Sequence, residues 1–171
     1  WLQPIINLES RRTCLPNIDG IGVNPAISDA ENLHRLTYGF ITMGSLEIDG
    51  KMELMNRTQL DWLKRLTTNI DRGWNVQCPE DDCYTGRPLP KVLFVDYPAG
   101  SPTRARGVKK HIALFNWTDS PQFIGATNAQ LKLSGTTTVR EFWTDEQKRF
   151  AGGDIIEKLP GRTARLYEVD S

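Results

Sequence analysis

Two carboxylates stand where chemistry could be placed. Glu9 closes the apolar run "LQPIINLES", and Asp19 follows ten residues later in "LPNIDGIGVNP". An acid just past a strand is where barrel enzymes put their reacting groups. The same stretch is rich in Pro, Asn and Gly, so both acids could equally be solvated or paired with Arg11 or Arg12. Other reactive groups are sparse. His34 lies beside Arg35 in a helical pattern, as a surface or packed residue. His111 alternates within a strand, as a satisfied edge histidine. Two isolated histidines without a third partner argue against Ser-His-Asp or Cys-His chemistry. Cys14 sits near Arg11 and Arg12, surroundings that favour a thiolate, but nothing nearby supplies a general base. Cys78 and Cys83 in "CPEDDC" form either a small loop disulfide that leaves Cys14 over, or two of three unpaired thiols. One Cys pair without nearby His lacks the four ligands of structural zinc. "GIG" at 20–22 lacks the third glycine of a dinucleotide loop. No metal and no cofactor are therefore expected.

Composition narrows the partners. The chain has 171 residues, with 21 Lys plus Arg against 21 Asp plus Glu. That balance gives nothing global to attract nucleic acid or an anionic membrane. The basic run "RARGVKK", residues 104–110, reads as a solvated lead-in to a strand. No apolar run approaches the ~20 residues of a membrane span. The opening on Trp1 shows no leader pattern and suggests a processed product or a chain read from part way along. Two sequons, at Asn56 and Asn116, matter only in a secreted eukaryotic protein.

The elements that would position these groups change period midway. "SDAENLHRLTYGFITMG" begins with a capping box, Ser28 and Glu31, and Leu33, Leu36, Phe40 and Ile41 repeat at helical spacing. A second helix starts at a cap on Asn56 or Thr58, carries Leu60, Leu63, Leu66 and Ile70 along one side, and stops at Gly73. With "LQPIINLES" read as a buried strand, the first half has the grammar of an α/β unit. The second half is a run of short segments: "KVLFVDY", "KKHIALFNW", "QFIGATNAQLKL", "TTTVREFW", "KRFAGGDIIEKL" and "RTARLYEV". They are rich in β-branched and aromatic residues and divided by Gly, Pro, Asp and Ser, as in an antiparallel sandwich or barrel. Breaks cluster at 74–90. The organisation expected is an α/β segment over residues 1–75, a linker over 76–104 and an all-β antiparallel sandwich over 105–171. At this length a domain hides roughly 70% of its unfolded surface.

"HIALFNWTDSPQ" and "LKLSGTTTVREFWTDEQKRFAGGDIIEKLPGRTARLYEV" resemble the C-terminal β-sandwich of melibiase-type glycoside hydrolases, the α-galactosidase clan. In that family one strand ends in an Asn-Trp/Arg-Ser/Thr-Asp turn. A later one reads Val-Arg-Asp-Leu/Phe-Trp-Thr-Gly, and a Leu-Pro-Pro-His-Gly type of turn precedes the last edge. This chain departs from the pattern at Glu141 for Asp, Asp145 for Gly and Gly161-Arg162 for His-Gly. "LHRLTYGFITMGSLEIDGKMELMNRTQLDWLKRL" looks like the end of the family's catalytic (β/α)8 barrel. "LPNIDGIGVNP" then sits where the family has its Asn-Asp-Pro-Asp motif, in the loop after the eighth strand.

The resemblance implies a terminal part of a (β/α)8 barrel followed by a sandwich, with Asp19 as a substrate-binding residue lining the sugar pocket. A retaining glycosidase needs two carboxylates about 5–5.5 Å apart, and in this family both come from earlier barrel strands. A whole barrel takes roughly 250 residues, so the catalytic pair is expected outside this chain. The implied partners are a carbohydrate substrate through the intact enzyme, and either the rest of the barrel or a second copy of the chain. The implied location is secreted, periplasmic or lysosome-like. A non-catalytic carbohydrate-binding or interaction module is the alternative, with Trp117, Phe123 and Trp143 in an exposed row. An amylase-like tail is a third reading. Trp143 itself reads as core filling whose indole N–H reaches a loop partner.

Overall fold

The computed structural model describes residues 17–42, 45–69, 71, 74–79 and 89–170. The run "LQPIINLES" with Glu9, together with Cys14 and Cys83, lies outside the described residues, and so does any Cys78–Cys83 pairing. Cys78 is half-buried.

The first half forms one parallel crossover. Strand β1 (Asn17–Gly22) leads into helix α1 (Asp29–Ile41), and β2 (Ser45–Asp49) returns beside β1 in parallel, Asn17 opposite Ser45 and Ile21 opposite Ile48. Parallel neighbours require such a crossover, because a tight hairpin can join only antiparallel strands. "NIDGIG", read above as a loop, is thus itself a strand. Asn and Gly disfavour that assignment, and the pairing with β2 overrides it. The cap of α1 is as expected: Ser28 Oγ accepts from Glu31 N at 3.2 Å, and Glu31 Oε2 accepts from Ser28 N at 3.3 Å. Helix α2 (Arg57–Thr68) is capped by Asn56, not Thr58, in a second capping box with Gln59. Leu63 and Leu66 are buried, but Leu60 is 42% exposed and lies off the apolar stripe expected for it.

The second half contains a six-stranded sheet in the order β3-β4-β5-β10-β7-β8. Its strands are β3 (Val76–Gln77), β4 (Val92–Asp96), β5 (Val108–Phe115), β7 (Thr137–Glu141), β8 (Gln147–Phe150) and β10 (Ala164–Asp170). All the pairings are antiparallel. Strands β6 (Gln122–Ala126) and β9 (Ile155–Leu159) form a separate antiparallel pair. Short helices α3 (Pro102–Ala105) and α4 (Asn128–Leu131) fill two connections. Strands β3 and β4 fall within 76–104, and helix α3 begins there. Where it is described, that stretch carries strands of the large sheet.

Both faces of the large sheet are covered, and alternation along each strand shows it. Leu93 and Val95 of β4, Ala113 and Phe115 of β5, and Ala164 and Leu166 of β10 share one core with Ile21, Val23, Leu36, Phe40, Ile41, Leu63 and Leu66. Val92, Phe94, Ile112, Leu114, Tyr167 and Val169 share the other core with Ile124, Ala126, Ile155 and Leu159. The order of layers is α/β crossover, six-stranded sheet, two-stranded sheet.

Trp143 joins the first two layers. It is 7% exposed within the first core. Its indole Nε1 donates to Thr37 Oγ1 at 2.8 Å, so the partner sits on α1 and not in a loop. Glu141 shapes the turn that aims it: Oε2 accepts from Trp143 N at 2.9 Å, Thr144 N at 2.8 Å and Thr144 Oγ1 at 2.9 Å. Asp145 takes a left-handed backbone at φ 62, a conformation that favours Gly, Asn or Asp. Its carboxylate binds the Arg65 guanidinium of α2 through two bonds of 2.7 and 2.5 Å. The chain thus departs from the glycine of the resembled motif and uses the new side chain to hold α2. Gly161 is required on steric grounds, because a Cβ there would meet the Asp119 carbonyl oxygen at 2.1 Å.

Trp143→Ala removes a buried indole and is expected to cost about 3–5 kcal/mol. Thr37→Val strands the indole N–H and is expected to cost about 1–3 kcal/mol. Urea unfolding followed by circular dichroism checks both, and a Trp143→Ala loss well below these figures would remove the residue from its place as a joint.

Candidate functional site

The carboxyl ends of β1 and β2 frame a cavity of about 370 Å³, lined by Gly22, Val23, Asn24, Pro25, Arg35, Gly50, Lys51 and Leu54. Its floor is fixed by backbone. Asn24 N donates to Asn32 Oδ1 at 2.8 Å and Asn32 Nδ2 donates to the Asn24 carbonyl at 3.0 Å, tying the loop after β1 to buried Asn32 of α1. Ala26 N donates to Asn24 Oδ1 at 2.9 Å and tightens the turn. Gly50 follows β2 with φ +120, and a Cβ there would lie 3.0 Å from the Val23 carbonyl oxygen. That close approach keeps the two loops together. Arg35 and Lys51 supply donors, suited to holding hydroxyl or anionic groups. They cannot serve as a carboxylate acid/base pair. Among the described residues, no group of three or more His, Cys, Asp or Glu is placed to hold a metal.

Asp19 lies within β1, three positions before Gly22 at the cavity wall, and not in the following loop.

The two histidines are enclosed and apart from the cavity. His34 on α1 packs against Phe115 at 5.3 Å and Trp117 at 4.5 Å between ring centroids. Burial pushes its pKa below the usual histidine value. His111 is on β5, an interior strand between β4 and β10, so the edge placement is corrected while its satisfaction holds. Its Nδ1 meets the Tyr97 hydroxyl at 2.9 Å and its Nε2 meets Glu168 Oε1 at 3.2 Å. Burial lowers the His111 pKa despite the raising effect of Glu168. Glu168 continues to Arg140 at 2.6 Å, and Arg140 to Asp145 at 3.6 Å. A polar chain thus runs Tyr97–His111–Glu168–Arg140–Asp145–Arg65, from the sheet to α2. Burial disfavours the charged form of Glu168, but His111 and Arg140 outweigh it and hold the carboxyl below its ordinary range.

The basic run is not uniformly solvated. Lys110 is completely buried, bonds Asp96 at 2.7 Å and the Leu131 carbonyl, and lies 4.4 Å above the Phe94 ring. Of the three aromatics proposed as a sugar-binding row, Trp143 is buried and Trp117 is half-buried. Trp117 donates through Nε1 to the Pro90 carbonyl at 2.8 Å and stacks on Phe115 at 5.1 Å. Phe123 alone of these is open, at 73% exposure. The row is not formed. Lys110, Thr37 and the His111–Glu168 contact carried no signal in spacing, because each joins residues distant in the chain.

No protein-family model matches the sequence, and no curated protein matches it. Solved structures do share the fold. The chain superimposes on α-galactosidase I from Mortierella vinacea with a TM-score of 0.71 at 15% identity, covering 98% of this chain and 44% of that one. A GH27 β-L-arabinopyranosidase from Geobacillus stearothermophilus gives 0.69 at 12% identity, covering 96% of this chain and 40% of that one. An α-amylase from Geobacillus thermoleovorans gives 0.52 at 15% identity, covering 99% of this chain and 47% of that one. The architecture is therefore that of a region of melibiase-type glycoside hydrolases. At these identities the likeness is one of fold, and the chain spans less than half the length of those enzymes.

The enclosed histidines set an acid sensitivity. Both have folded-state pKa values below the ordinary ~6.5, so the unfolded chain takes up protons first. Their stabilisation is complete above about pH 6.5 and is lost as the pH falls below it. The urea midpoint is expected to drop between pH 7 and pH 5, above the range where the carboxylates titrate. His34→Phe should flatten part of that slope. A midpoint unchanged from pH 7 to 5 would contradict the enclosure.

Proposed function

We propose that this chain is the C-terminal region of an α-galactosidase-like glycoside hydrolase that hydrolyses O-glycosidic bonds. In this reading β1, α1, β2 and α2 are the closing units of the catalytic barrel, ending near residue 75, and the sheets that follow brace it. The observation that carries the reading is the parallel β1–α1–β2 unit packed through α1 and Trp143 onto an antiparallel sheet. Parallel strands joined by a helix are the repeating unit of a (β/α)8 barrel. Among the described residues β1 and β2 pair only with each other, and open edges of that kind want further strands. Those strands would be the rest of the barrel, and the catalytic aspartates would stand on them.

Barrel enzymes work at the carboxyl ends of their strands. In this chain those ends are the cavity framed by Gly22, Asn24 and Gly50. Asp19 on β1 is the residue proposed to touch sugar, through hydroxyl groups that a carboxylate accepts from. The partners are then a carbohydrate substrate and the remaining barrel, in a secreted, periplasmic or lysosome-like setting.

The test compares the 171-residue chain with the whole product of its gene, using 4-nitrophenyl α-galactoside. The chain alone is expected to show no turnover. The whole product should hydrolyse the substrate, and Asp19→Asn in it should lower kcat/KM about tenfold or more, ~1.4 kcal/mol of transition-state stabilisation. Turnover by the isolated chain would place the acids within it and defeat the reading, as would a folded whole product without glycosidase activity.

A further inference from the structure

Two Asn-X-Thr sequences, Asn56-Arg57-Thr58 and Asn116-Trp117-Thr118, play no part in the proposed reaction. The fold treats them in opposite ways. An N-linked glycan forms on the side-chain amide nitrogen of such an asparagine. Asn116 is completely buried just beyond β5. Its Nδ2 donates to the carbonyls of Ser120 at 2.9 Å, Leu159 at 3.1 Å and Pro160 at 2.9 Å. Its Oδ1 accepts from Thr118 N at 3.1 Å and Thr118 Oγ1 at 2.8 Å. The nitrogen that would carry the sugar already divides its hydrogens among three carbonyls that tie the loop after β5 to the end of β9. A glycan there would break those bonds and leave buried carbonyls without donors, a cost the fold cannot absorb cheaply.

Asn56 is exposed, as are Arg57 and Thr58. Its work in the fold falls to other atoms. Oδ1 accepts from Gln59 N at 2.9 Å and caps α2, while the backbone N donates to Gln59 Oε1 at 3.2 Å. The amide nitrogen has no partner among the described residues. A sugar on Nδ2 leaves the carbonyl oxygen in place, so the cap survives modification.

We propose that Asn56 is an N-glycan attachment site and that the folded protein does not accommodate a glycan on Asn116. The co-reactant is an oligosaccharide carried on a lipid diphosphate. Asn56 Nδ2 bonds to the anomeric carbon of its first sugar, and the bond from that carbon to the diphosphate oxygen breaks. The lipid diphosphate leaves with the bonding pair, and the amide gives up one proton. The inference rests on exposure and hydrogen bonding at the two asparagines and applies to the chain in a eukaryotic secretory pathway; it does not depend on glycosidase activity.

The test expresses the full chain through the secretory pathway of a eukaryotic cell and purifies the folded protein. Glycans are then released by amidase in ¹⁸O-water, which converts a glycosylated asparagine to labelled aspartate, and the peptides are weighed. Label at position 56 and unaltered Asn116 are expected. Thr58→Ala should abolish the label and leave the protein folded, because the Asn56 cap does not involve Thr58. Folded protein with label at 116, or with position 56 unlabelled, would overturn the proposal.

Discussion

The six-stranded sheet is apolar on both faces, and the rest of the molecule follows from having to cover them. Leu93, Val95, Phe115 and Leu166 point one way, and Phe94, Ile112, Leu114 and Tyr167 the other. A sheet with one solvated face shows hydrophobic-in, polar-out alternation, whereas one covered on both sides reads as continuous apolar runs. "VLFV" and "IALF" are such runs. The pair β6–β9 closes one side, and α1 with its crossover closes the other.

Polar contacts set the registry of the covered faces. Trp143 reaches Thr37 across the first core, and the hairpin turn after it binds Arg65 through Asp145. The chain from buried Tyr97, His111 and Glu168 to half-exposed Arg140 lies in the same region. Ion pairs with an exposed partner, as Arg65–Asp145 and Arg140–Glu168 are, contribute little net stability. These contacts therefore specify how α1 and α2 sit on the sheet, while the apolar area supplies the attraction. The two departures from the melibiase motif at Glu141 and Asp145 belong to this set. One folds the turn that presents Trp143, and the other holds α2.

Much of this was legible in the residues. The first capping box was visible as the Ser28–Glu31 spacing, Asn56 was one of two caps named for the second helix, and all six of the short β segments quoted contain strands, because local chemistry decides caps and turns. The motif around "VREFWT" pointed to the architecture that the structural likenesses share. What local pattern misread was set by distant partners. "NIDGIG" became a strand because β2 pairs with it. The stretch 76–104 looked like a linker because its turn residues outnumber the short strand β4 between them. Leu60 fell off the buried side of α2 despite helical spacing. Lys110 is buried because Asp96 and the Leu131 carbonyl come from other elements. At the candidate site, Asp19 was named from a motif, whereas the cavity depends on Gly50 and Val23 meeting across two loops, which no spacing encodes.

If the sheet cannot stand with one face bare, α1 and the sheet must open together. Native-state amide hydrogen exchange measures this directly, residue by residue, as an opening free energy. The amides of Leu36–Ile41 are expected to share the opening free energy of β4, β5 and β10 across a denaturant series. Exchange from α1 at a free energy about 2 kcal/mol or more below the sheet, with the sheet still protected, would show that its first face needs no cover.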